Sequence, residues 1–200
     1  MLSKAKYKLC KRLGGALFEK CQTQKYALSE ARARKSKGRK RQMSDYGRQL
    51  IEKQKVRFAY GITEKQLRKY VHESMKAQDT VSTLNQKLEM RLDNVVYKLG
   101  FAPTRRAARQ MVNHGHITVN GRKLNIPSHI LKVGDVVAVR EGSKARTLFS
   151  QLMETISKHK TEEWLNLDAK KLSGEVKALP SFEADKSIFD FVSVFEFYSR

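Results

Sequence analysis

Arg91 to Gly142 reads RLDNVVYKLGFAPTRRAARQMVNHGHITVNGRKLNIPSHILKVGDVVAVREG, and nearly every residue in it has an assignable local job. Leu84, Leu88, Leu92, Val95, Val96 and Leu99 recur at helical spacing. One long helix is therefore expected to begin near Asp79 or Thr80 and to stop at Gly100, since glycine readily takes the left-handed geometry common at helix ends. Pro103 turns Ala102 away from helical geometry, Thr104 can cap a second helix, and Ala107, Ala108, Met111 and Val112 give that helix a narrow apolar stripe. Arg105, Arg106 and Arg109 lie off the stripe, with His114 and Gly115 at its end, so the outward surface is cationic and suits a polyanion. Asn120-Gly121 between Ile117–Val119 and Arg122–Leu124 predicts a tight hairpin, because both central residues of such a turn need positive φ. A second turn at Lys132–Asp135 feeds a strand over Val136–Val139.

This order of helix, short basic helix, hairpin and closing strand resembles the alpha-L, or S-four, RNA-binding domain. Arg91–Tyr97, Ala107–Gln110 and His114–Gly121 are similar to the bacterial-type S-four family of small-subunit ribosomal proteins, in its zinc-free form. Ser44–Gly47 and Glu52–Arg57 resemble the N-terminal helical domain of that family, and Trp164-Leu165, Asp168, Gly174 and Phe197–Arg200 extend the likeness over most of the chain. The fold class so implied is α+β. A basic extension over 1–42 and a helical domain over 43–90 precede an alpha-L domain over 91–200, with its core motif at 91–142, C-terminal strands and a small, mostly antiparallel sheet.

A formal charge of +21 in 200 residues favours phosphate polymers or anionic lipid surfaces. No run of eighteen apolar residues exists, and the N-terminus lacks the apolar core of a secretory signal, so no membrane partner and a cytoplasmic chain are expected. The charge is uneven: Met1–Gln42 holds fourteen Lys or Arg against two Glu, whereas Thr161–Arg200 holds five cations against eight acids. The two ends are thus expected to meet different partners, RNA and protein. Met1–Gln42 shows little periodicity, and self-repulsion in Arg32–Arg41 predicts an extended segment. The resemblance implies that it threads ribosomal RNA; a solvated tail without a fixed target is the alternative.

Cys10 resembles one of four zinc-binding cysteines found in some family members, but Tyr7 stands where another would be. A structural zinc site needs four ligands, and no His precedes His72, so two separate reduced thiols and no cofactor are expected. A metal bridging Cys10 and Cys21 is the alternative.

From Ser44, Leu50, Ile51, Phe58 and Ala59 predict one helix, and from Thr63, Leu67, Tyr70, Val71 and Met75 predict another, giving a helical hairpin with a basic outer face. Two helices joined through a glycine turn also fit a DNA-reading helix-turn-helix. Thr147–His159 has helical spacing at Leu148, Leu152 and Ile156, while Trp164–Leu167, Glu175–Leu179 and Val192–Tyr198 read as strands. Phe189, Phe191 and Phe195 form an aromatic face that suits a core or a protein contact.

Arg91-Leu92-Asp93 also looks like the catalytic Arg-Leu-Asp of pseudouridine synthases, some of which carry an alpha-L domain. Asp93 lies within a predicted helix, however, and fewer than sixty residues follow Gly142, too few for a catalytic domain. With no phosphate loop, serine elbow or metal-binding helix pattern, Asp93 is expected to be an ion-pair partner and the chain not an enzyme. The resemblance implies a primary binder of small-subunit ribosomal RNA that nucleates assembly of the subunit body and, with neighbouring ribosomal protein five, contributes to translational accuracy. It is not expected to form a stable homo-oligomer. A free RNA-binding or ribosome-rescue factor is the alternative within the binding class. The expected RNA-binding residues are Arg39, Lys40, Arg41, Arg48, Lys53, Lys55, Arg57, Arg105, Arg106, Arg109, His114, His116, Asn120, Arg122 and Lys123.

Overall fold

A computed structural model describes residues 6–14, 17–35, 43–144, 149, 152, 156, 161–183 and 187–200. The helices of the described residues include α1 (Lys6–Leu13), α2 (Gln24–Lys35), α3 (Asp45–Ala59), α4 (Glu64–Ser74), α5 (Thr80–Glu89), α6 (Leu92–Lys98), α7 (Arg105–Asn113), α8 (Glu141–Lys144) and α9 (Phe191–Tyr198). The strands are β1 (Ile117–Val119), β2 (Arg122–Lys123), β3 (Val136–Val139), β4 (Leu165–Asp168) and β5 (Ser173–Val176). The fold is α+β and forms two compact units. Met1–Val81 groups with Glu183–Arg200, and Ser82–Phe182 forms the other. The C-terminal residues therefore pack with the N-terminal helices, a grouping that the expected 43–90 and 91–200 boundaries do not contain.

In the N-terminal unit, Ser44 caps α3 by accepting the Gly47 N–H, and Thr63 and Gln66 cap α4 reciprocally. The segment that shows little periodicity nevertheless contains α1, a 3-10 turn at Glu19–Gln22 and α2, which makes residues 32–35 helical where an extended chain was expected; the rest of the run to Arg41 lies outside the described residues. Cys10, Leu13, Leu17, Cys21 and Tyr26 are buried there, so apolar burial supplies what periodicity did not reveal. Cys10 and Cys21 are joined as a disulfide, which corrects the expectation of two separate reduced thiols. Eleven positions apart in sequence, they are brought together by the turn after α1. Among the described residues no group of three or more His, Cys, Asp or Glu is arranged to hold a metal ion.

The strand expected over Val192–Tyr198 is α9. Asp190 caps it by accepting the Ser193 N–H at 3.1 Å, and Phe191 and Val194, three apart, are both buried on one face. Valine and phenylalanine favour strands only as a weak prior, and packing of this face within the helical unit overrides it. Of the aromatic face, Phe191 is buried, whereas Phe189 and Phe195 are half-buried, with Phe189 5.7 Å from the ring of Tyr60. In α3 the buried positions are Gln49, Lys53, Val56 and Ala59, whereas Leu50, Ile51 and Phe58 are only half-buried.

In the second unit the long helix expected over 79–99 is broken. Arg91 is extended (φ −66°, ψ 137°) and pairs in an isolated bridge with Ile130. Leu92 N–H donates to His129 O at 2.8 Å, Asp93 N–H to Pro127 O at 3.1 Å, and Leu131 N–H to Met90 O at 2.9 Å. The 127–131 loop thus takes donors that helix continuation would have used. Leu84, Leu88, Leu92, Val95, Val96 and Leu99 are nevertheless all fully buried, so the apolar spacing fixed the face although not the helix. Each such side chain contributes roughly 1.5–3 kcal/mol of burial.

The sheet is antiparallel throughout, in the order β2-β1-β3-β5-β4. Asn120 and Gly121 turn β1 into β2 with φ of 50° and 77°, as the hairpin signal requires, and Val119 faces Arg122 across the ladder. Of the strand expected over Glu175–Leu179, only Glu175 and Val176 belong to β5; Lys177 to Leu179 are exposed beyond it. One core joins α6 and α7 to the sheet and takes in Phe149, Leu152 and Ile156. Those three are helical, as the spacing over 147–159 predicts, while Leu148 lies outside the described residues.

Candidate nucleic-acid interface

Thr104 accepts the Ala107 N–H at 3.1 Å and starts α7, which buries Ala108, Met111 and Val112 against the core. The three arginines then part company. Arg109 donates Nε and Nη2 to Asp93 Oδ2 at 2.9 and 2.7 Å. Arg91, 1% exposed, grips the same carboxylate through Nε to Oδ1 at 3.0 Å and Nη2 to Oδ2 at 2.9 Å. Asp93 is thus a buried anion between two guanidiniums and not a group presented to substrate. Arg105 donates Nε to Asn94 Oδ1 at 2.7 Å and lies 4.7 Å from the centre of the Tyr97 ring. Asn94 in turn donates to Glu89 Oε2 at 2.8 Å. Arg105 and Arg109 therefore stitch α7 to α6, and Arg106 points outward with no ion pair among the described residues.

The outer face of α7 carries Arg106, Gln110 and Asn113, and ends at exposed His114. Gln110 and Asn113 escaped the sequence reading, which followed charge; their i+4 and i+7 spacing from Arg106 is the signal that would have found them. Arg122 and Lys123 are exposed on β2. Gly115, with φ +70°, sits where a Cβ would collide with the Lys123 methylenes, so the hairpin lysine lies directly over the turn that ends α7. His114 and His116 flank that glycine with ring centres 6.1 Å apart and planes 10° from parallel. Asn120 is occupied internally: it accepts the Val136 N–H at 2.9 Å and donates to Asp135 Oδ1 at 2.8 Å, tying the hairpin to β3.

In the N-terminal unit, Arg48, Lys53, Lys55 and Arg57 each face an acid of the same unit. Arg48 pairs with Asp45, Lys55 with Glu52, and both Lys53 and Arg57 with Glu64 at 2.9 and 3.2 Å. Lys53 is 6% exposed, with its ammonium 4.3 Å from the centre of the Phe197 ring, so it is an internal residue. Burial alone would raise the Glu64 carboxyl, but hydrogen bonds from Lys53 and Tyr198, the Lys53 charge and Arg57 hold it below the ordinary carboxylate range. Burial, and then the bond to Glu64 at 2.6 Å, push the Tyr198 hydroxyl well above the ordinary phenol value. Arg39, Lys40 and Arg41 lie outside the described residues. Among the described residues no helix is long and apolar enough to cross a membrane.

A short capped helix with an outward Arg106 is thus followed by an antiparallel hairpin that carries two exposed cations of its own. The family model described as "S4 domain" matches residues 90–137, and that described as "Ribosomal protein S4/S9 N-terminal domain" matches residues 1–90. The chain is 52% identical over 165 residues to small ribosomal subunit protein uS4 of Chloroflexus aurantiacus, covering 81% of this chain and 80% of that one. To the uS4 protein of Syntrophomonas wolfei it is 42% identical over 198 residues, covering 96% and 95%, and to that of Acetivibrio thermocellus 46% over 187 residues, covering 90% and 89%. The chain belongs to the uS4 family of small ribosomal subunit proteins, which are structural proteins and not enzymes.

Proposed function

We propose that this protein is a structural constituent of the small ribosomal subunit that binds its ribosomal RNA directly and early, nucleating assembly of the subunit body. The observation that carries this reading is the cationic surface of α7 and the hairpin, where Arg106, Arg122 and Lys123 are exposed and enter no ion pair among the described residues. Side chains cannot easily read bases in the grooves of A-form RNA, so recognition runs through shape and phosphates. The 1–42 segment adds fourteen cations to this attraction. Partnership with ribosomal protein five, and through it a contribution to decoding accuracy, rests on the family and on the net acidic C-terminal forty residues, which repel phosphate.

Affinity for refolded small-subunit ribosomal RNA across several salt concentrations tests the reading. Each phosphate contact releases condensed counterion, so Arg106→Ala and Arg122→Ala are each expected to lower the slope of log affinity against log salt by about 0.7–0.9. Arg109→Ala is expected to act on stability more than on slope, since its guanidinium holds Asp93. An unchanged slope in a folded Arg106→Ala, Arg122→Ala double variant, or equally tight binding of single-stranded homopolymer, would overturn it.

A further inference from the structure

Two histidine rings stand side by side at the end of α7. His114 closes α7 by donating its N–H to Gln110 O at 2.9 Å, and Gly115 reverses the backbone in the left-handed conformation with its N–H on Val112 O at 2.8 Å. This turn lays the two imidazoles nearly parallel. His116 is the fixed member: Nδ1 is 3.0 Å from the Oγ of buried Ser143, and the ring meets Phe149 edge-on with centres 5.8 Å apart. His114 is the outer member and is exposed. The Lys123 ammonium lies 2.9 Å from where a Gly115 Cβ would stand, so a cation sits over the backbone joining the two rings.

A planar ring already stacked on an anchored neighbour loses little freedom when another ring covers it. Unstacked bases are what sequence-tolerant RNA binders hold on such faces, with a cation beside them for the backbone. Resting on the RNA-binding reading above, we propose that His114 is a stacking platform for one unpaired nucleobase of the bound RNA, with Lys123 taking an adjoining phosphate. The site takes a nucleotide in a loop or bulge, not one inside a duplex, because a paired base offers no free face.

The test measures affinity and salt slope for refolded small-subunit ribosomal RNA with the full chain carrying His114→Ala, His114→Phe, His114→Lys or Lys123→Ala, each checked for native circular dichroism. Imidazole is a small ring, so losing its stack on one base in His114→Ala is expected to weaken binding about 5- to 20-fold with the salt slope unchanged. His114→Phe should bind like the parent, His114→Lys like the alanine variant, and Lys123→Ala should lower the slope by about 0.7–0.9. Parental affinity in His114→Ala would overturn the proposal. So would rescue by lysine without rescue by phenylalanine, which marks a charge contact in place of a stack. Either result leaves the Arg106 and Arg122 slopes, and the reading they test, untouched.

Discussion

Changing Asp93 to Asn keeps the side chain's size and removes the charge that two guanidiniums share. Arg91 is 1% exposed and directs a pair of bonds to this carboxylate, so in the variant its buried cation loses the negative charge that Asp93 supplies. Breaking one partner of such a buried pair costs about 3–5 kcal/mol. Set against a total of about 5–15 kcal/mol for a domain, that is about a fifth of the stability or more. Arg109→Ala should cost less, about 1–2 kcal/mol, because its side chain is 25% exposed and Asp93 retains Arg91. Trp164, the single tryptophan, packs partly buried against the core of the same unit, so its fluorescence in a urea titration reports this unit. Replacing the triad together, Arg91→Met with Asp93→Leu and Arg109→Leu, should recover much of the loss, since no stranded charge remains. A midpoint for Asp93→Asn within about 1 kcal/mol of the parent, or a triple variant weaker than the single one, would refute the reasoning about uncompensated charge.

Gly174→Ala should destabilise the same unit by about 1–3 kcal/mol through overpacking, because a Cβ there meets the Leu99 side chain; an unchanged Trp164 unfolding midpoint would show that Leu99 yields freely. Glu64, whose carboxyl is held below its ordinary value, contributes stability that is present above the unfolded value and lost as pH falls through the folded one. The stability difference between the parent and Glu64→Gln, followed by helix circular dichroism, should therefore shrink from pH 7 toward pH 3, and a constant difference would contradict the ion-pair account. Closing a loop of about a dozen residues restricts the unfolded chain, so Cys10→Ser with Cys21→Ser should lower the stability of the N-terminal unit by about 3 kcal/mol, as should a thiol reductant on the parent. Coincident urea titrations of the parent with and without reductant would count against that contribution.

Local chemistry determined what the sequence could say by itself. Asn120-Gly121 required a tight turn, Thr104 a cap, and the stripe Ala108, Met111, Val112 a buried face, because each signal acts over a few neighbouring residues. The family likeness was legible in motifs of the same length. What only the tertiary structure decided depended on residues far apart in the chain. The loop at 127–131 broke the expected helix at Arg91 by taking its backbone donors. Val192 to Tyr198 is an apolar run of strand-favouring residues but became a helix through burial beside segments more than a hundred residues earlier. The arginines of α7 looked equivalent in sequence, since charge alone cannot tell a cation facing solvent from one facing a buried carboxylate. Asp93, twelve to sixteen positions before them, made that choice by claiming Arg109 and leaving Arg106 at the surface.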